Sequence, residues 1–142
     1  MSSKITRIFV YGSLRSGFKA PAYSYISQYF SLVTPAKVKG LLYDMGQYPA
    51  AVPVTDEAYI VGELYNIKNS NEFSFAIGQL DDYEGVYSED GEPSLYLRTI
   101  TEVYLPDGTT TQAWVYWFNG NVDGKPAIAG GDMLEYLKFK TS

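Results

Sequence analysis

The sequence predicts an α+β fold: one domain in which a mostly antiparallel sheet curls into a small barrel with short helices beside it. Three observations point there. The 142 residues are 46% apolar and 19% charged, enough for one core and too short for two ordinary ones. Apolar runs of strand length alternate with glycine- and proline-containing turns, and helical spacing appears in only two or three places. No repeat, low-complexity tract or linker divides the chain, so residues 1–142 read as a single domain. Periodicity alone does not establish that the barrel closes.

Ile5 to Val10 reads as a first strand, nearly continuous in its apolar residues and suited to burial on both faces. It ends at Tyr11-Gly12-Ser13-Leu14-Arg15-Ser16-Gly17, a loop with two glycines. Pro21 can open a helix, where its missing N–H costs nothing, with Ile26, Tyr29, Phe30 and Val33 as the apolar stripe. Ala36 to Tyr43 follows as a strand and Asp44-Met45-Gly46-Gln47 as a turn. Tyr48 to Pro53 is apolar but carries two prolines, which suits an edge or a loop better than a central strand. Tyr59 to Tyr65 is the next strand. Asn71 is the expected cap of a helix through Leu80, because Phe73, Ile77 and Leu80 recur at helical spacing. Leu95 to Leu105 and Thr109 to Phe118 flank Pro106-Asp107-Gly108, which has a turn-forming residue at each position. Near the end, Gly131-Asp132-Met133-Leu134-Glu135 has the Asp-x-x-Glu spacing of a capping-box-like helix start.

Composition excludes much chemistry. There is no cysteine, hence no thiolate nucleophile, disulfide or cysteine metal site, and no histidine, hence no Ser-His-Asp or Cys-His machinery and no HExxH helix. Acid–base work therefore rests on Asp, Glu, Lys or Tyr. Eleven basic residues against 16 acidic give a net charge of −5, and the basic ones are scattered, which argues against nucleic acid as a partner. No stretch approaches the roughly 18 apolar residues of a membrane span, and the first residues lack a signal-peptide core. The expectation is a soluble, cytoplasmic protein. Tyrosine is abundant, 14 of 142, and serves mainly as amphipathic core and strand residues, with a minority left to line a pocket.

Two segments can carry chemistry. The glycine-containing loop after the first strand allows close backbone approach, so that successive N–H groups converge on an anion or a carbonyl oxygen. It lacks the spacing of a phosphate-binding Walker loop, and a Gly-Ser turn after a strand is by itself ordinary. The second is Leu80-Asp81-Asp82-Tyr83-Glu84-Gly85 at the expected helix end. Three carboxylates in four residues most often mark a solvated terminus. Here Leu80, Tyr83 and Val86 offer apolar packing, and a carboxylate held against such groups gains proton affinity, as a general base near neutral pH requires. The pattern is not that of an EF-hand, so an oxygen-ligand metal site has little support.

In order along the chain, Tyr11-Gly12-Ser13-Leu14, Tyr48-Pro49-Ala50-Ala51-Val52, Val61-Gly62-Glu63-Leu64-Tyr65, Leu80 to Gly85 and Tyr96-Leu97-Arg98 together resemble the γ-glutamylcyclotransferase-like family, which includes the AIG2-like proteins and the γ-glutamylamine cyclotransferases. Trp114-Val115-Tyr116 and Ala129-Gly130-Gly131-Asp132 are similar to its closing elements. The resemblance implies a small mixed β-barrel flanked by helices. It implies that Tyr11, Gly12, Ser13 and Leu14 hold the γ-glutamyl part of a substrate, and that Glu84 is the general base. Asp81 and Asp82 then hold the turn or the helix end. Tyr96 and Tyr116 are candidate pocket hydroxyls, each equally accounted for by strand packing.

The implied reaction suits a chain without histidine or cysteine. The α-amine of a γ-glutamyl compound attacks its own γ-carbonyl, a 5-oxoproline ring closes, and the distal amine or amino acid leaves. No metal and no cofactor is required, and the partner is the small-molecule substrate. Two features depart from the family pattern. Phe18-Lys19-Ala20-Pro21 stands where relatives often place a small polar residue or histidine, which bears on specificity. The acidic segment 88–94, Ser88-Glu89-Asp90-Gly91-Glu92-Pro93 and Ser94, looks like an insertion, either a lid or a longer surface loop. A non-catalytic small-molecule-binding module of the same fold is the alternative. A carboxylate glycosidase ranks below both, because Asp81, Asp82 and Glu84 crowd one turn instead of facing each other across a cleft. The amine half of the substrate and the oligomeric state are not legible from the sequence.

Overall fold

The computed structural model of the chain describes residues 5–11, 26–44, 49–55, 57–84, 96–120, 122–128 and 131, with residues 49 and 82–84 described by their backbone alone. Strand β1 (Arg7–Val10) is the short apolar run expected at the start, with three of its four residues buried. Strand β2 (Phe30–Asp44) is long and bends, β3 (Pro49–Pro53) is short, and β4 (Tyr59–Ile67) follows. A single helical turn, Ser70–Glu72, leads into helix α1 (Phe73–Glu84), and the hairpin of β5 (Tyr96–Tyr104) and β6 (Thr110–Phe118) completes the order.

The sheet order is β3-β2-β4-β1-β6-β5, and β2 pairs again with β5 through Lys37 and Tyr104. That last pairing closes β2, β4, β1, β6 and β5 into a five-stranded barrel, with β3 attached along Gly40–Asp44 of β2. All pairings are antiparallel except β1 with β6, aligned at Ile8 and Trp114, so the barrel is mixed as the family resemblance implies.

Two cores follow from the alternation of β1. Phe9 and Tyr11 point into the barrel with Val38, Ile60, Leu64, Val103, Val115 and Trp117. Ile8 and Val10 point outward and meet Phe30, Tyr65, Tyr96, Tyr116 and the inner face of α1. Both faces of β1 are therefore buried, which is why its sequence shows no polar alternation.

The largest differences from the sequence reading lie at the start of β2 and at the two ends of α1, while β1, β2 and β4 also shift by one or two residues at one end. The helix expected from Pro21 through Val33 is helical at residues 26–29 but gives way to β2 at Phe30, six residues ahead of the expected Ala36. Pairing with β4, which begins at Phe30 with Ile67 and continues through Ser31 and Leu32, supplies the reason, and Pro35 turns the preceding Thr34 toward extended backbone. Ile26 and Phe30 are core residues as expected, reached from two elements instead of one helix. Val33 is the extra residue of a bulge between Leu32 and Thr34, and it faces solvent. Ahead of α1, the capping side chain is Asn69 and not Asn71: Asn69 heads the turn Ser70–Glu72 and its side chain accepts from the Asn71 N–H at 3.0 Å. The helix also continues past Leu80 to Glu84.

The hairpin turn is as expected. The Leu105 N–H donates to the Thr109 carbonyl, Gly108 adopts φ of 88°, and Asp107 accepts from the Thr109 N–H and hydroxyl. Those bonds, the hydroxyl's first, hold the Asp107 carboxyl below its ordinary value of 3.8. The expected helix start at 131–135 lies outside the described residues beyond Gly131, and so do Gly12 to Gly17 and segment 88–94.

Candidate active site

Helix α1 buries Phe73, Ala76, Ile77, Leu80 and Asp81, a stripe at i, i+3, i+4, i+7 and i+8. The last member of the apolar stripe is thus a carboxylate, only 1% exposed. A charge so placed is costly unless paired, and the hairpin supplies the partners. Arg98 of β5 donates from Nε to Asp81 Oδ1 at 2.7 Å and from Nη2 to Oδ2 at 2.9 Å, a two-pronged contact that fixes the carboxylate plane. The Tyr116 hydroxyl of β6 donates to Oδ1 at 2.8 Å.

Each partner is itself held. The Arg98 guanidinium lies 4.4 Å over the Trp114 ring, and the Trp114 indole N–H donates to the Ile5 carbonyl at 3.0 Å. The backbone carbonyl of Tyr116 accepts the Tyr11 hydroxyl. Tyr11 follows β1 and precedes the glycine-containing segment 12–17 in the sequence. One hydrogen-bonded cluster therefore touches the end of α1, both strands of the hairpin and the exit of β1.

Beside this cluster, Glu63 of β4 is buried and accepts from the Tyr65 hydroxyl at 2.9 Å. Its partner across the sheet is Val10, the residue before Tyr11. Tyr96 is buried and packs edge-on against Phe118 with ring centres 5.8 Å apart.

Of the residues singled out from sequence, Tyr11, Tyr96 and Tyr116 all come to this end of the barrel. The Tyr116 hydroxyl is engaged by Asp81, and that of Tyr11 by the Tyr116 backbone. Glu84 is the last residue of α1, and helical spacing puts position 84 on the face that carries Leu80 and Asp81. Its side chain, and Gly12, Ser13 and Leu14, lie outside the described residues. Asp81 does hold the helix end, and it does so through Arg98, whose role the sequence did not expose. The available signal was that Asp81 continues the apolar stripe of α1 while Arg98 lies two residues from Tyr96, on the same face of β5.

Two clefts open elsewhere on the barrel. One, of about 470 Å³, runs between Leu97, Thr99 and Thr101 of β5 and Pro53 and Val54. The other, of about 520 Å³, lies along Lys37, Tyr59 and Tyr104. Neither includes Asp81, Arg98 or Tyr116. Among the described residues no three acidic side chains converge to hold a metal ion, and no helix is long and apolar enough to cross a membrane.

Residues 8–135 match the model of the family described as gamma-glutamyl cyclotransferase, AIG2-like. The gamma-glutamylcyclotransferase family protein YtfP of Escherichia coli K12 is 32% identical over 130 residues, 91% of this chain and 96% of YtfP. The solution structure of the E. coli protein superimposes with a TM-score of 0.60 at 31% identity, again over 91% of this chain and 96% of that one. The crystal structure of an AIG2-like protein from Mus musculus superimposes with a TM-score of 0.64 at 22% identity, covering 87% of this chain and 86% of that one, which bears on the fold alone.

Proposed function

The chain belongs to the gamma-glutamyl cyclotransferase, AIG2-like family, and on that premise we propose that it is an enzyme of the cytoplasm that cyclises a γ-glutamyl compound to 5-oxoproline without metal or cofactor. The observation that carries this reading is the cluster around Asp81. It ties Tyr11, the first residue of the glycine-containing loop, to the helix end whose same face presents position 84.

The substrate carries its own nucleophile. The α-amine attacks the γ-carbonyl carbon, a C–N bond closes the five-membered ring, and the original γ-amide C–N bond breaks. Bringing the two ends of one molecule together supplies much of the acceleration, since well-oriented intramolecular reactions reach effective molarities of about 10⁵ M or more. Glu84 removes the proton that the attacking ammonium must lose and returns one to the departing amine. The ordinary glutamate value, about 4.3, is too low for that exchange near neutrality, so the site has to withdraw Glu84 from water. Backbone N–H groups of Gly12, Ser13 and Leu14 receive the substrate carboxylate or the oxyanion that develops on the γ-carbonyl oxygen. Tyr96 and Tyr116 contribute to the pocket wall through their rings.

The test combines a panel of γ-glutamyl amines, peptides and amino acids, read for 5-oxoproline by mass spectrometry, with the variant Glu84→Gln. With Glu84 as the base, kcat falls by about 10²–10⁴-fold while 5-oxoproline still binds. Near-normal kcat in a folded Glu84→Gln protein removes Glu84 from that role. A folded wild-type chain that binds 5-oxoproline and turns over no member of the panel is the non-catalytic binding module instead.

A further inference from the structure

We propose that Asp81 is a positioning residue for Glu84: held by Arg98 and Tyr116, it fixes the last turn of α1 relative to Tyr11 at the exit of β1. The inference rests on the reading of Glu84 as the base, and it adds the device that holds that base in place.

The geometry is more than packing needs. Leu80 and Ile77 already bury the inner face of α1, and a buried ion pair contributes little net stability over a well-packed apolar residue of the same size. What three charge-assisted bonds to one carboxylate supply is direction. The Arg98 fork accepts one carboxylate plane, and the Tyr116 hydroxyl fixes the side from which β6 approaches. Asp81 thereby fixes the rotation of α1 about its axis three residues before Glu84. Helix ends otherwise fray within their last turn, and the last turn here is residues 81–84.

The same cluster reaches the exit of β1. The Tyr116 residue that donates to Asp81 through its hydroxyl also receives the Tyr11 hydroxyl on its carbonyl. The last turn of α1 and Tyr11 are thus referenced to one residue of β6. A displacement of about 1 Å in a reacting group can cost on the order of 10²-fold in rate. Asp81→Asn keeps an acceptor for Tyr116 but turns an amide N–H₂ toward the guanidinium, which dismantles the fork. Arg98→Lys keeps the charge and loses the fork. Both are expected to lower kcat by about 10–100-fold with KM changed less than about threefold. Tyr116→Phe leaves the ion pair in place and should have a smaller effect on the same parameter.

The decisive measurement is a double-mutant cycle on one confirmed substrate, with thermal unfolding recorded for every variant. A residue that acts through Glu84 loses its effect once Glu84 is gone. Asp81→Asn should therefore cost less than about twofold in the Glu84→Gln background. A full 10–100-fold loss in that background would overturn the proposal and leave Asp81 as a general structural residue, and so would near-normal kcat in folded Asp81→Asn and Arg98→Lys. If Asp81→Asn does not fold, Tyr116→Phe carries the cycle. Should the wild-type chain turn over no γ-glutamyl compound, the functional reading fails separately, and backbone hydrogen exchange decides the positioning. Faster exchange at residues 82–84 and at Tyr11 in Asp81→Asn, with the rest of the barrel unchanged, supports it; unchanged exchange there overturns it.

Discussion

Replacing Gly62 by alanine tests how tightly β1 is pressed into the barrel. A Cβ on Gly62 of β4 would lie 2.2 Å from the Val10 carbonyl oxygen and 2.5 Å from Cζ of Phe9. Comfortable contacts for such atoms lie near 3.5 Å, so β1 or the Phe9 ring must withdraw by about 1 Å. Neither can do so freely, because Phe9 is fully buried and Val10 precedes the anchored Tyr11. Overpacking of this kind costs about 1–3 kcal/mol, and a backbone obstacle belongs at the upper end. At about 4 °C per kcal/mol for a chain of this length, Tm should fall by about 12 °C.

The same exchange at Gly78 has the opposite expectation. Gly78 sits inside α1 with nothing within 4 Å of its missing Cβ. Alanine there removes backbone freedom from the unfolded chain and favours the helix by about 0.5–1 kcal/mol, raising Tm by about 2–4 °C. Thermal unfolding of both variants in one buffer, followed by circular dichroism and calorimetry, reads the two shifts. A Gly62→Ala protein as stable as wild type, or one in which both substitutions move Tm the same way, would refute the account of the β1–β4 contact.

Asn69→Ala should destabilise α1 by about 1 kcal/mol in urea unfolding whereas Asn71→Ala should have a much smaller effect, because it is the Asn69 side chain that caps. The Asp107 carboxyl, held low by Thr109, contributes stability that is fully present above its ordinary value of 3.8 and is lost as pH falls through the lower folded value. An NMR titration should find its midpoint below 3.8, and Thr109→Val should raise it; no upward movement would dissociate the shift from that hydroxyl. Turnover should survive exhaustive chelation and dialysis, and loss restored by one particular divalent ion would contradict a mechanism without metal.

Legibility from sequence followed how local each cause is. The β5–β6 hairpin is written in Pro106-Asp107-Gly108 and the alternation around it, and β1 in its unbroken apolar run; both need only near neighbours. The end of α1 was harder, because the stripe after Leu80 continues into a carboxylate, and a carboxylate reads as solvent-facing until Arg98, 17 residues on, is seen to meet it. The start of β2 is hidden because Ile26, Tyr29, Phe30 and Val33 have helical spacing, while the opposing instruction comes from pairing with β4. Closure of the barrel is a single pairing of Lys37 with Tyr104, residues whose types announce nothing of the kind. Glu84 and the Tyr11–Leu14 loop stood out through family resemblance, since spacing alone described a solvated helix end. The cluster joining their neighbourhoods depends on residues up to 109 positions apart.

The parallel pairing of β1 with β6 also sets an order of events during synthesis. Contacts between these strands join residues 105 positions apart, as between Arg7 and Gln112. At roughly 5–20 residues per second, a ribosome needs about 5–20 s to deliver β6 after β1. Through that interval β1 can pair with β4 once it emerges, but its other edge stays open and Ile8, Phe9 and Val10 lack part of their cover. A nascent chain halted before β6 thus presents an apolar strand edge of the kind that chaperones hold and that unprotected chains aggregate through. The barrel cannot be completed until the hairpin has been made, so its assembly waits on the synthesis of β6.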